Sequence, residues 1–247
     1  MASYDFASTR LFVESDLGPG AEVTLDAAQA NYLRNVLRMG EGAGLLAFNG
    51  RDGEWRARIA EAAKKRVTLA IESLARPQPA PGRLRYLFAP LKHARLDYMA
   101  QKAVEMGASR LSPVLTRRTQ AARVNTERMR ANTVEAAEQC GVLEVPAVDE
   151  PAPLGAVLAG WPADEPLVFC DEDADIADPI EALRPLKGRP LALLIGPEGG
   201  FDPAERDALL RLRGVVRISL GPRILRADTA AVAALAALQA AAGDWAP

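Results

Sequence analysis

Leu191-Ala192-Leu193-Leu194-Ile195-Gly196-Pro197-Glu198-Gly199-Gly200-Phe201 is the stretch on which the fold turns. An apolar strand, Leu191 to Ile195, runs into a glycine-rich loop. The loop then meets Asp202-Pro203-Ala204-Glu205, a helix start with an acid at the N-cap, proline at the first helical position and an acid at the third. The pattern recurs downstream: Val215 to Ser219 is a strand, Leu220-Gly221-Pro222-Arg223-Ile224-Leu225-Arg226 is a loop, and an alanine-rich helix follows over Thr229 to Ala242. In an open parallel sheet, ligands sit where loops leave the carboxyl ends of strands, so the two loops are expected to share one pocket.

Working outward, strands and helices alternate through residues 83–247, the mark of an α/β domain. Arg85 to Ala89 reads as a strand. Ala94 to Met106 reads as an amphipathic helix with Leu96, Met99, Ala103 and Met106 on one face and Gly107 as its stop. Leu111 to Leu115 and Leu167 to Cys170 are further strands, and Asn125 or Thr126 caps a helix ending at Cys140-Gly141. Upstream, Arg76-Pro77-Gln78-Pro79-Ala80-Pro81-Gly82 suits a linker. Residues 1–75 hold strand-length runs at Arg10–Val13, Ala21–Leu25, Gly44–Phe48, Trp55–Ile59 and Arg66–Ile71, with Asn49-Gly50 and Asp52-Gly53 as turns. One helix is expected over Asp26–Met39, capped by Asp26 and stopped by Gly40. This first part reads as a small β-rich barrel.

Composition bounds the function. Half the residues (49%) are hydrophobic, enough for a real core, and 25% are charged. No signal peptide is read at the start, and the apolar run around Ala230–Ala242 is too short to span a bilayer. Cys140 and Cys170 lack any paired spacing, so neither a disulfide framework nor a zinc site is expected, and a reducing cytoplasm is the default location. The net charge of −2 is uneven: residues 77–145 carry eleven basic against six acidic side chains. A basic middle suits a polyanionic partner. Asp171-Glu172-Asp173-Ala174-Asp175 has the look of a calcium loop, but Ile176 stands where glycine is needed, so a solvated acidic loop and no metal are expected.

The loop at Gly196 is neither a Walker loop nor GxGxxG. Glu198 and Asp202 would oppose a polyphosphate, so its glycines suit close backbone approach by a neutral or cationic ligand. Arg223 and Arg226, around apolar Ile224 and Leu225, can flank a heterocycle while facing a polyanion. His93 is the lone histidine and has no serine motif beside it.

These residues resemble the RsmE family. The likeness rests on Ile195 to Phe201, Leu220 to Arg226 and Thr229-Ala230, and extends to Tyr32 to Arg38, Gln101 to Gly107 and Glu135 to Cys140. The resemblance implies a C-terminal SPOUT α/β trefoil-knot methyltransferase domain behind an N-terminal PUA-like barrel. It also implies a homodimer and S-adenosylmethionine-dependent methylation of uridine N3 in 16S ribosomal RNA of the small ribosomal subunit. Backbone of Leu194, Ile195, Gly196, Gly200, Leu220, Gly221, Ile224 and Leu225 would hold the cofactor. The chain departs from the family at Asp228, where glutamate is common, at Gly141-Val142-Leu143, which lacks a basic residue, and at Lys92-His93, where Lys-Gly is usual. Asp228 is expected to cap the last helix.

Methylating N3 requires the loss of its weakly acidic proton. Glu198 is the candidate base, and Arg223 or Arg226 the candidate stabiliser of charge on O2 or O4. For RNA contact the candidates are Arg10, Arg34 and Arg38 of the barrel with Lys92, Lys102, Arg117 and Arg118 of the basic middle. Two other readings fit the residues: a knotted methyltransferase acting on another ribosomal site or transfer RNA, and a non-catalytic RNA-binding or ribosome-assembly protein.

Overall fold

A computed structural model of the chain describes residues 7–63, 66–92, 94–120, 123–174 and 178–245. The chain divides into two compact units. One takes the residues up to Pro81 together with Ala137–Val145; the other takes Gly82–Ala136 and Pro146 onward. Segment 137–145, which the sequence pattern runs on into the α/β part, thus goes with the first unit.

The first unit contains β1 (Arg10–Phe12), β2 (Glu22–Thr24), α1 (Ala27–Asn31), β3 (Gly44–Phe48), β4 (Glu54–Ala63) and β5 (Arg66–Arg76). They form a five-stranded sheet in the order β1-β3-β4-β5-β2, antiparallel except for the β1–β3 pair. Alternation explains its sidedness. Along β4, Trp55, Ala57 and Ile59 point into a core with Leu11, Leu33 and Leu69, while Arg56 and Arg58 point out. Register shifts between β4 and β5 bend the ribbon. Asp26 caps α1 in a capping box with Gln29, as its position foretells. The single helix expected to Met39 does not continue. Residues Tyr32–Val36 form a π turn, Arg38 adopts a left-handed φ of 57°, and Met39 N–H closes onto the Leu33 carbonyl. The wide turn accompanies full burial of Leu33.

The second unit contains β6 (Leu84–Phe88), α2 (Ala94–Glu105), β7 (Arg110–Leu115), α3 (Thr126–Cys140, its last turn shared with the first unit), β8 (Ala147–Val148), β9 (Ala152–Pro153), α4 (Leu154–Ala159), β10 (Leu167–Cys170), α5 (Pro179–Leu183), β11 (Leu191–Ile195), α6 (Pro203–Arg211), β12 (Val215–Ile218) and α7 (Ala227–Ala241). The sheet order is β12-β10-β11-β6-β7-β8, with β9 also on β7, and every pair is parallel. Helices cover both faces, which is why β11 is buried at every position. Leu191, Leu193 and Ile195 face a core shared with Met99, Ala103, Ala234 and Leu235 from α2 and α7. Ala192 and Leu194 face the other core, with Leu154 and Leu209 from α4 and α6. The alanines of α7 let it lie close against α2 and α5. Elements β8, β9, α4 and α5 are too short to leave a periodic signal.

Candidate functional site

Strands β12, β10 and β11 lie side by side and parallel, so Ile218, Cys170 and Ile195 end at one edge of the sheet. The three loops that follow, starting at Asp171, Gly196 and Ser219, wall a cavity of about 660 Å³. That is an ordinary volume for a small-molecule site at the carboxyl ends of parallel strands. Its apolar wall includes Ile195, Ile218, Leu220, Ile224 and Leu225; Glu172, Asp173 and Asp207 supply carboxylates. Arg118, Arg206 and Arg223 also line it, but with Asp171 and Glu198 the carboxylates outnumber them, so apolar flanks and excess acid fit a heterocycle joined to a cationic group better than a polyphosphate. Among the described residues no group of three or more His, Cys, Asp or Glu is placed to hold a metal ion.

The glycine-rich loop is held at several points. Asp202 accepts from Ala204 N–H at 3.0 Å and Glu205 returns to Asp202 N–H at 3.1 Å, the capping box read from sequence. Glu205 also accepts from Arg117 N–H at 2.8 Å, and Arg118 donates to the Gly199 carbonyl at 2.7 Å. Gly196 has a packing reason beyond ligand approach: a Cβ there would lie 2.5 Å from the Phe201 ring, which stands edge-on to Phe169. Gly221, at φ 94°, turns the arginine loop through a conformation that side chains disfavour.

Glu172 and Asp173 are exposed, as expected of a solvated acidic loop, but Asp171 is not. It is buried and accepts from Arg206 Nη2 at 2.9 Å and Arg217 Nε at 2.8 Å. Burial alone would raise its carboxyl, but the two guanidinium groups hold it below the usual range. Asp175 and Ile176 lie outside the described residues, as does His93. Cys170, at the cavity floor, has its thiol pushed up to about 12 by desolvation, so it is no thiolate nucleophile near neutral pH.

Of the proposed cofactor contacts, Ile195, Gly196, Gly200, Leu220, Gly221, Ile224 and Leu225 line the cavity; Leu194 lies behind it in the core. Glu198 and Arg223 also line it. Arg226 does not: it occupies the N-cap position of α7 with its side chain exposed. The expected cap, Asp228, is instead the second residue of the helix, in its first turn, and faces Arg95 Nε at 3.9 Å.

The RNA candidates differ in exposure and in partners. Arg10 is corrected outright. Its guanidinium is 2% exposed, pairs with Glu54 at 2.6 Å and donates to the carbonyls of Ala137, Glu138 and Val142, so no phosphate can reach it. Arg34 donates to Ala63 O, Lys102 pairs with Glu105 and Arg117 with Asp202. Arg38 and Lys92 are exposed.

Sequence reading missed Arg95. It meets Glu198 at 2.5 Å and, with Lys92, Arg118, Gln120 and Glu198, lines a second cavity of about 450 Å³. Its only signal was a basic residue at the start of α2, three positions beyond Lys92.

Comparison with known proteins agrees with this geometry. Residues 78–239 match the family described as RNA methyltransferase domain, and residues 25–72 match RNA methyltransferase PUA domain. The ribosomal RNA small subunit methyltransferase E of Synechocystis sp. is 31% identical over 94% of this chain and 77% of its own. The crystal structure of a ribosomal RNA small subunit methyltransferase E from Neisseria gonorrhoeae bound to S-adenosyl methionine superposes with a TM-score of 0.84 at 26% identity, covering 97% of this chain and 100% of that one. A Legionella pneumophila protein solved in complex with the bound cofactor SAM gives 0.84 at 29% identity over 95% and 98%. An N-terminal PUA-like sheet unit, a C-terminal parallel α/β unit of the SPOUT class and these matches along nearly the whole chain agree: the protein belongs to the RsmE family of RNA methyltransferases.

Proposed function

We propose that this protein is an S-adenosylmethionine-dependent methyltransferase that modifies N3 of a uridine in 16S ribosomal RNA, working in the cytoplasm as a homodimer on the small ribosomal subunit. The observation that carries the reading is the cavity at the ends of β10, β11 and β12, where apolar loop residues and carboxylates face one another. This donor set fits a cofactor with an adenine ring and a cationic sulfonium. Bound there, S-adenosylmethionine would supply an electrophilic methyl group on positively charged sulfur, with the neutral thioether as the leaving group.

The chain's own work is to hold and to ionise. Backbone of Ile195, Gly196, Leu220, Gly221 and Leu225 would frame the cofactor, with exposed Ile224 also on the cavity wall. Glu198, on the wall of the cavity, takes the N3 proton and so frees the lone pair that accepts the methyl group. Holding the donor methyl in line with N3 would supply much of the remaining rate. Exposed Arg38 and Lys92 contact phosphate and make binding salt-dependent.

The test is transfer from labelled S-adenosylmethionine to small subunits that lack the modification, followed by nucleoside analysis. Label in 3-methyluridine at one site is the expected outcome. Label in any other nucleoside, or in transfer RNA alone, overturns the assignment.

A further inference from the structure

The second cavity and Arg95 remain unexplained by cofactor binding. The cavity of about 450 Å³ has an apolar side formed by Pro90, Leu91 and Ala94 and a polar side with Lys92, Arg95 and Gln120. Arg118, Pro197 and Glu198 line both this cavity and the cofactor cavity, so the two spaces meet at Glu198. Enzymes that act on a base take it out of its stack, pack its faces against apolar groups and bond its edge. The edge of uracil around N3 presents carbonyl, N–H and carbonyl in turn. A carboxylate beside a guanidinium matches two neighbours of that triplet: Glu198 accepts from N3–H while Arg95 donates to the adjacent oxygen.

We infer that this second cavity is the subsite for the acceptor uracil and that Arg95, rather than Arg223 or Arg226, is the cation facing the charge that develops on the base. The inference rests on the proposed function and deepens it. When the N3 proton passes to Glu198, the electron pair it leaves spreads over N3, O2 and O4. A guanidinium already aimed at this spot, with Arg95 Nη1 on Glu198 Oε1 at 2.5 Å and Nε 3.9 Å from Asp228, stabilises that charge without reorganising. Asp228 gains a role here that a helix cap does not give it: it is the second carboxylate steering Arg95. Neither rival cation is so placed. Arg223 lines only the cofactor cavity, and Arg226 lines neither. The pair is 40% and 41% exposed, so an incoming base can reach it.

The test compares Arg95→Met and Arg95→Lys with wild type in three measurements. Cofactor affinity, measured by calorimetry without RNA, stays within twofold in both variants. Single-turnover transfer to unmethylated small subunits falls about a hundredfold in Arg95→Met, its rise with pH moves to higher pH, and Arg95→Lys recovers part of the loss. Ultraviolet cross-linking of wild type to those subunits places uridine adducts on residues 90–95 or 118–120. Arg95→Met with wild-type turnover and pH profile overturns the assignment, as do uridine adducts confined elsewhere while transfer proceeds. Wild-type protein that transfers nothing to uridine takes down the proposed function, and this assignment with it.

Discussion

Two glutamates of this molecule meet arginine at nearly equal distances in contrasting surroundings. In the first unit Glu54 meets Arg10 and Arg76, both at 2.6 Å, with Glu54 and Arg10 each 2% exposed. In the second, Glu198 meets Arg95 at 2.5 Å with both side chains about two-fifths exposed. The first pair is walled in: Arg10 and Arg76 also donate to carbonyls of Ala137, Glu138, Gly141 and Val142, fastening the 137–145 segment to the sheet. The second stands between two cavities. Burial, not pairing, separates a strut from a working group.

The largest effect follows from the buried pair. Arg10→Met removes one partner of a desolvated carboxylate, and breaking such a pair costs about 3–5 kcal/mol. Urea denaturation should show that loss, and a loss below 1 kcal/mol would break the contrast. Acid should sharpen it. Burial raises the Glu54 carboxyl, but Arg76 and Arg10 outweigh that and hold it below its ordinary value. A depressed carboxyl stabilises above its unfolded pKa and loses that contribution as pH falls through the folded one. Wild type should therefore lose stability more steeply than Glu54→Gln as pH falls below about 5, as followed by urea midpoints. Parallel slopes would contradict the account.

Smaller effects belong to the loops and the surface. Gly221→Ala forces a side chain into φ 94° at a cost of about 1–3 kcal/mol, and cofactor binding by calorimetry should weaken roughly tenfold. Unchanged affinity would detach the arginine loop from the cofactor. Arg38→Ala should lower the slope of log affinity for small-subunit RNA against log salt by about one. Arg10→Met, measured where it stays folded, should leave that slope alone. A change of slope with Arg10 and none with Arg38 would reverse their assignments.

The contrast also marks what could be read without coordinates. Local signals carried through: Asp26 and Asp202 cap where their neighbours require it, and the strand at Leu191–Ile195 lies at the centre of the sheet with its glycine loop on the cavity. Pair formation across long separations did not. Arg10 looks like any basic residue until Glu54, 44 positions away, is folded beside it. Asp171 looks like part of an acidic loop until Arg206 and Arg217 arrive from other elements. Arg95 is one more charge on a helix until the loop carrying Glu198 comes within reach from 103 residues downstream. The π turn after Asn31 was hidden too: Asp26 and Gly40 mark the ends of a helix but not the winding between them, which the Leu37 N–H bond to the Tyr32 carbonyl sets.

The most direct test sets Glu54→Gln beside Glu198→Gln and reads each in two ways, by urea midpoint and by single-turnover methyl transfer from folded protein. The outcomes should cross. Glu54→Gln should lose about 3 kcal/mol of stability and keep its transfer rate, because the buried pair is a strut. Glu198→Gln should stay within about 1 kcal/mol of wild type, as an exposed pair allows, and lose about a hundredfold in transfer. Full turnover in Glu198→Gln, or an unshifted midpoint in Glu54→Gln, would contradict the division of labour between the two pairs.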